Sequence, residues 1–494
     1  MSDIDNQHMP QSQSSEAAGT DQIQPRRTST LLQSVAGLVG IVLVAGVVVG
    51  GAAWIIGRDR GPGNPDAWDE RVQEYVRFVE SSRGLRFEQP VWVEFLEEEK
   101  FRETVTADED DLSDEEQEGY EHYAGILRSY GLLEGDINLF EQNNELYGDE
   151  IVGYYSDETR TLTIRGEEVT TDVKLTIVHE LVHALQDQNF DLGLTDELEG
   201  EALTAARALI EGDARAIEIE YLGTLSDDEQ QAYFDSFDES NNESATPDQE
   251  VPSVLSASLG SSYVLGNGFI DTLRQDGGWA RVNAAYSDLP TSMDQLIYPW
   301  RYLAGDAVNE VDAPDVDNTD DSEPEEIGAL GWFFILARVM DPPDALLVAD
   351  GWGGDLAVDF TADDGTCFVD NLTGDDTAAT DSFENAVSLW VEVSPEYRSM
   401  SRDGDVLRVE GCDPGTEAKI AGEDNSEDVL QLPVVRVEVV NGWLESGAPD
   451  ESAHCAGEWV ATQIPLELLI ADDFTDDQQA EFDGIIEGLS AECG

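Results

Sequence analysis

Apolar and polar positions divide the chain before any motif is considered. Residues 1–30 are polar and rich in Ser, Gln and Asp, the composition of a disordered tail. An uncharged run of 22 residues follows, from Val35 to Ile56, with Trp54 near one edge. That length crosses a bilayer as a helix, and a Trp suits the interface. A cleaved signal peptide is the alternative, with Gly51-Ala52-Ala53 as a small-x-small site. The apolar run continues past that site to Ile56, which favours a retained anchor. Gly61 to Asp66 is a Gly/Pro linker. Val72, Tyr75, Val76 and Phe78 fall near helical spacing and predict a helix from Ala67 to about Arg83. Val91 to Leu96 alternates as a strand does. Asp108 to Glu118 is strongly acidic and reads as a solvated loop entering a helix over Glu121 to Leu133. Glu150 to Tyr155 and Arg160 to Arg165 flank Ser156-Asp157-Glu158-Thr159 and predict a β-hairpin.

Farther on, Asp196 to Tyr221 is a strong helical stretch with mild breaks at Gly200 and Gly212. Tyr263 to Leu273 and Trp279 to Tyr286 also read as helices. Two acidic loops are expected, Asp235 to Glu250 and Val311 to Glu326. Gly328 to Val339 is an apolar helix of about three turns, too short to span a membrane. Beyond Gly351 the pattern turns to short strands at Ala357 to Phe360, Thr366 to Val369, Val406 to Glu410 and Val434 to Val440. Helices over Asp381 to Val391 and Asp476 to Leu489 complete an α+β segment.

Between the hairpin and the long helix lies Thr176-Ile-Val-His179-Glu180-Leu-Val-His183-Ala-Leu-Gln186, an H-E-x-x-H pattern. On a helix, His179 and His183 share one face a turn apart. Two neutral imidazoles so placed can share one zinc ion. Glu180 beside them suits a general base that takes a proton from water as it attacks a carbonyl. Leu175, Ile177, Val178, Leu181, Val182 and Leu185 surround the polar trio with apolar bulk, and Thr171-Asp172 is a plausible N-cap. A surface helix would not carry such flanks. The chain holds five histidines, and none recurs downstream before His454. The third ligand is therefore expected to be a carboxylate. Two Glu-Gly-x-Ala patterns offer one, Glu199-Gly-Glu-Ala202 and Glu211-Gly-Asp-Ala214. A small residue beside each carboxylate lets two helices approach closely. Glu211 sits deeper among Ala206, Leu209, Ile210 and Ala214, where a carboxylate needs a metal or a cation. A salt bridge to Arg207 or Arg215 is the simpler use of that carboxylate. Glu211 is the favoured ligand and Glu199 the alternative.

The stretch His179 to Phe190, followed by Ala208-Leu-Ile-Glu-Gly-Asp-Ala214, resembles the gluzincin zinc peptidases, in particular their peptidase-MA-like branch. Gly153-Tyr-Tyr-Ser-Asp-Glu-Thr159 resembles the strand and turn before the active-site helix in that branch. Pro290 to Pro299, Arg301 to Gly305 and Ala349 to Asp355 look like later family segments, so the resemblance runs from about Val91 to Asp355. It implies a zincin-like metallopeptidase domain, a small mixed sheet with active-site helices, over 67–310. By carry-over His179, His183 and Glu211 bind Zn2+, and Glu180 is the catalytic base. The helices after Tyr263 are implied to pack under the site. Tyr298 departs from the family, in which His precedes Pro at this point. Either residue can donate a hydrogen bond to an oxyanion, so Tyr298 is the candidate for that role, with a packed aromatic as the alternative.

Charge changes the setting. The formal charge is −82, from 107 acidic and 25 basic side chains. Such a surface repels itself and needs dense counterion screening, as in an extreme halophile with an acidic proteome. Disorder is excluded for most of the chain by a hydrophobic content of 40%. Nucleic acid is excluded as a partner because no basic patch exists to meet phosphates. Arg26 and Arg27 on one side of the apolar run and Arg58 and Arg60 on the other leave its orientation undecided. The four cysteines, Cys367, Cys412, Cys455 and Cys493, have no C-x-x-C spacing. An even count behind a membrane segment favours disulfides in an oxidising compartment, which places the C-terminal part outside the cell. Three pairings are possible. The expected plan is α+β: tail 1–30, transmembrane helix 35–56, metallopeptidase domain 67–310, acidic loop 311–326 and cysteine-containing α+β region 327–494. The expected function is membrane-anchored peptide hydrolysis with a peptide or protein substrate. The alternative is a cell-surface binding or assembly module whose zinc site is structural or vestigial.

Overall fold

The computed structural model describes residues 63–107, 112–234, 251–316, 324–362, 365–419, 422, 424–471 and 474–494. The expected tail, transmembrane helix and 235–250 loop lie outside the described residues, as do parts of the acidic loops at 108–118 and 311–326. Among the described residues no helix is long and apolar enough to cross a membrane.

The fold is α+β, with many helices around two small sheets. Helix α1 (Gln73–Arg83) starts later than its apolar spacing implied, and ends where Gly84 takes a left-handed φ of 73° and its N–H caps the Glu80 carbonyl. The first sheet has the order β1-β3-β2, from β1 (Trp92–Leu96), β2 (Gly153–Ser156) and β3 (Thr161–Arg165). The hairpin is present, with Tyr155 opposite Leu162, and β1 pairs with β3 in parallel. β2 is thus an edge strand. Helices α2 (Glu98–Val105), α3 (Asp114–Tyr130) and α4 (Leu139–Glu150) fill the crossover from β1 to β2. α3 begins earlier than expected because Ser113 and Glu116 form a capping box. α2 and α4 have no counterpart in the sequence expectations; their apolar positions are few, and Phe101 and Val105 of α2 bury only against a small cluster with Ile151.

Helix α5 (Thr171–Phe190) carries the H-E-x-x-H residues; its N-cap is Thr170, whose hydroxyl accepts from the Val173 N–H. It lies on β3, where Leu162 and Ile164 pack with Ile177, Val178 and Leu181. At Gly153 a Cβ would come within 2.7 Å of Thr176 Cγ2, so glycine lets β2 close onto α5. α6 (Gly200–Leu222) and α7 (Ser253–Gly277) pack at backbone distance, since a Cβ on Gly212 would sit 2.2 Å from the Gly266 carbonyl carbon. α8 (Trp279–Ala285) follows.

The second sheet is antiparallel, with the order β4-β5-β7-β6, from β4 (Trp352–Ala362), β5 (Gly365–Gly374), β6 (Arg398–Asp403) and β7 (Val406–Cys412). The strands expected in β4, β5 and β7 are present and longer, and β6 is additional. The buried apolar helix is α9 (Gly328–Ala337), and α10 (Thr377–Val393) crosses from β5 to β6. The strand expected at Val434 to Val440 is instead part of α11 (Gln431–Glu445). A β-branched run favours a strand locally. Here Leu432, Val435, Val437 and Val440 all bury, Val437 against Gly268 of α7, and Arg436 pairs with Asp350 inside the protein. A helix satisfies its own backbone and tolerates that burial without a strand partner. α12 (Asp450–Gln463) and α13 (Asp476–Glu492) close the chain. Disulfides join Cys367 to Cys412, register partners in β5 and β7, and Cys455 to Cys493. One hydrophobic core includes Leu209 of α6, Phe269 of α7, Trp332 of α9, Phe383 of α10 and Leu468. It therefore runs across the acidic segment 311–326 that was expected to divide two regions.

Candidate metal centre

α5 is buried around most of its circumference, so its polar residues lie inside the protein. His179, Glu180 and His183 are 1%, 0% and 4% exposed. The two imidazole centroids lie 4.7 Å apart, as one turn of helix requires. α6 crosses beside them and contributes Glu211, while the next residue, Gly212, packs against α7. Glu211 Oε2 lies 3.2 Å from His179 Nε2 and 3.3 Å from His183 Nε2. These residues offer one ligand atom each, all within 4.8 Å of one another, and together could hold a metal ion. Glu199, the alternative ligand, is the exposed N-cap residue of α6. Arg215, the alternative cation for Glu211, pairs with Glu218.

The other ring nitrogens decide what faces Glu211. His179 Nδ1 lies 3.1 Å from Glu218 Oε2, a carboxylate that only accepts. His183 Nδ1 lies 2.9 Å from Gln186 Oε1. Both Nδ1 atoms therefore carry the hydrogen, and in the neutral imidazoles both Nε2 atoms present lone pairs. Three acceptors, two Nε2 atoms and Glu211 Oε2, meet at one buried point, and His183 Nε2 completes no hydrogen bond. Such a cluster repels itself unless a cation or protons fill it. The titration behaviour says the same. Burial by itself would lower the His179 pKa, but Glu211 and Glu218 outweigh it and raise it to about 10. Burial also opposes protonation of His183, and Glu211 again reverses the direction. Burial would raise Glu211, yet the two histidines bring it down to about 2. The residues present fit a metal ion.

Glu180 stands apart. Neither of its carboxylate oxygens completes a hydrogen bond, and burial lifts its pKa to about 7. His183 and His179 offset part of that rise, and so does the backbone N–H of Tyr155 on β2, which lies near the carboxylate without completing a hydrogen bond. Tyr298 lies elsewhere in its contacts: its hydroxyl is 2.7 Å from His454 Nδ1 on α12, and its ring lies 5.0 Å from the Arg436 guanidinium. The structure thus brings His179, Glu180, His183 and Glu211 together and engages Tyr298 with the C-terminal helices. Glu218 and Gln186 were missed by sequence reasoning. Both follow a ligand at helical spacing, Glu218 two turns after Glu211 and Gln186 three residues after His183, so the same-face rule would have found them.

No family model matches this chain, and no curated protein and no solved structure resembles it significantly.

Proposed function

We propose that the chain is a zinc-dependent peptidase anchored by residues 35–56, with its catalytic part outside the cell in a high-salt setting. The observation that carries this reading is the meeting of three lone pairs from His179, His183 and Glu211 beside a buried carboxylate, Glu180, that has no hydrogen-bond partner. Two imidazoles and one carboxylate are a donor set that suits zinc. Zinc bound there would supply Lewis acidity, polarising a carbonyl and lowering the pKa of water. Glu180, fully buried beside that point, takes the proton from the attacking water and passes it to the leaving amine nitrogen. β2 supports the delivery of substrate. As an edge strand it has one side unpaired by β3, and an extended peptide can align its backbone there, beside Glu180. An oxyanion donor at Tyr298 would require its hydroxyl to leave His454.

The described residues gather three ligand atoms at the centre and not four. That supports an open position over the closed coordination of a structural zinc site. The test is metal content and cleavage of a varied peptide pool, measured together on purified protein in molar salt. One zinc per chain, with cleavage lost to a chelator and restored by zinc, is expected. Tight zinc without cleavage of any peptide would replace the enzyme with the binding or assembly module.

A further inference from the structure

Beneath the metal centre lies a buried hydrogen-bonded group that makes no contact with the ligand point itself. Asp213 is fully buried on α6 and receives three donors: Arg83 Nε at 2.7 Å, the Tyr286 hydroxyl at 2.8 Å and Gln186 Nε2 at 3.3 Å. Gln186 Nε2 also donates to the Ile210 carbonyl at 2.9 Å. Arg83 is held in turn by Asn283 Oδ1 at 2.6 Å and lies over the Trp279 ring at 4.4 Å. The residues come from α1, α5, α6 and the α8 region, so the packing of four segments converges on one carboxylate.

The chemistry of the amide makes this arrangement directional. A glutamine can present either its oxygen or its NH2 to a neighbour. Here two acceptors, Asp213 Oδ2 and the Ile210 carbonyl, claim the NH2 group. The oxygen is left facing His183 Nδ1, which must then donate, and the lone pair of His183 falls on Nε2, toward His179 and Glu211. We infer that Asp213 is a positioning residue for the metal centre, acting through Gln186 to fix the tautomer of His183, with Arg83 and Tyr286 pinning Asp213 in place. The inference rests on the zinc reading of the site. His179 is oriented by a carboxylate, Glu218, and needs no such device, because a carboxylate accepts from either oxygen.

Asp213→Asn is the informative substitution. Its single remaining acceptor stays with Arg83, and its NH2 then meets the Gln186 NH2. With only the Ile210 carbonyl left to hold it, the glutamine amide loses one of its two orienting acceptors, and the turned amide offers N–H to His183 Nδ1 and moves the histidine hydrogen to Nε2, where it blocks coordination. Zinc affinity, read by chelator competition, should fall about 10–100-fold. Gln186→Leu should cost a similar factor, and the double variant no more than Gln186→Leu alone, because both act on one hydrogen bond. Histidine-labelled 15N spectra supply a second readout, kept sparse by the five histidines of the chain. In zinc-loaded wild type, His183 should carry its hydrogen on Nδ1, a result that needs no variant to fold. A wild-type His183 coordinated through Nδ1 would overturn the inference, as would a folded Asp213→Asn protein with wild-type zinc affinity, or additive losses in the double variant. Wild type without zinc affinity would instead bring down the reading of the centre and this inference with it.

Discussion

His179 and His183 present the same ring nitrogen to Glu211, and each is held that way by a different buried acceptor. The ligand residues therefore make separable predictions. On the zinc-peptidase reading, His179→Ala, His183→Ala and Glu211→Ala each remove a ligand, so bound zinc should be lost together with activity. Glu199→Ala should keep both, since Glu199 is an exposed cap. Metal analysis of the purified variants separates the two; zinc lost with Glu199→Ala but kept with Glu211→Ala would reverse the ligand assignment. A second residue-scale prediction concerns two buried acids of the second sheet. Burial raises Asp355 to about 7 and pushes Asp370 well above its ordinary value, and both Asp370 oxygens lack a hydrogen-bond partner. A carboxyl whose folded pKa is raised contributes stability that is full below its unfolded pKa and is lost as pH rises through the folded value. Stability from Asp355 should therefore decline from about pH 4 to about pH 7, the interval between its ordinary and shifted positions, and that from Asp370 should decline across the same interval and beyond it. Asp370→Asn mimics the protonated acid. Its melting temperature should pull ahead of wild type as pH rises; a constant difference across that range would refute the account.

At the scale of elements, local periodicity explains what the sequence could reveal. The H-E-x-x-H helix, the hairpin before it and the apolar helix α9 all bury a face set by their own residues, so their patterns survive into the fold. Glu211 was readable because its apolar neighbours make an unpaired carboxylate costly. The Val434 to Val440 segment was not readable as a helix, because tertiary burial among α7 and α12 overrides its β-branched preference. The contacts of Arg83 and Tyr298 were beyond local reading for a different reason: their partners, Asp213 and His454, lie in distant parts of the chain. The glycine contact between α6 and α7 gives a quantitative test. Gly212→Ala drives a methyl group into the Gly266 backbone and should destabilise by about 2–3 kcal/mol or more. Gly260→Ala, on α7 with open space around its Cβ, should stabilise by about 0.5–1 kcal/mol through helix propensity. Denaturant midpoints read both; equal effects would contradict the close approach that sets α6 against α7 beside the candidate metal centre.

For the whole molecule, the dominant fact is charge. With a net −82, the surface holds many more carboxylates than partners for them. Like-charge repulsion opposes the compact state and weakens as counterions screen it. The melting temperature should fall steadily as salt is removed from molar to millimolar concentration. A flat profile would mean that the surface does not depend on screening. Two disulfides and one core shared between the helices of the candidate metal centre and the C-terminal sheet resist that repulsion from within.

The most direct measurement of the central claim is a pair of assays on Glu180→Gln in molar salt: zinc stoichiometry and peptide cleavage. Glutamine keeps the size of the side chain and leaves His179, His183 and Glu211 in place, but a neutral amide cannot take a proton from water. Zinc should remain at the wild-type level while cleavage falls by orders of magnitude. A Glu180→Gln protein that cleaves peptides as well as wild type would contradict the account.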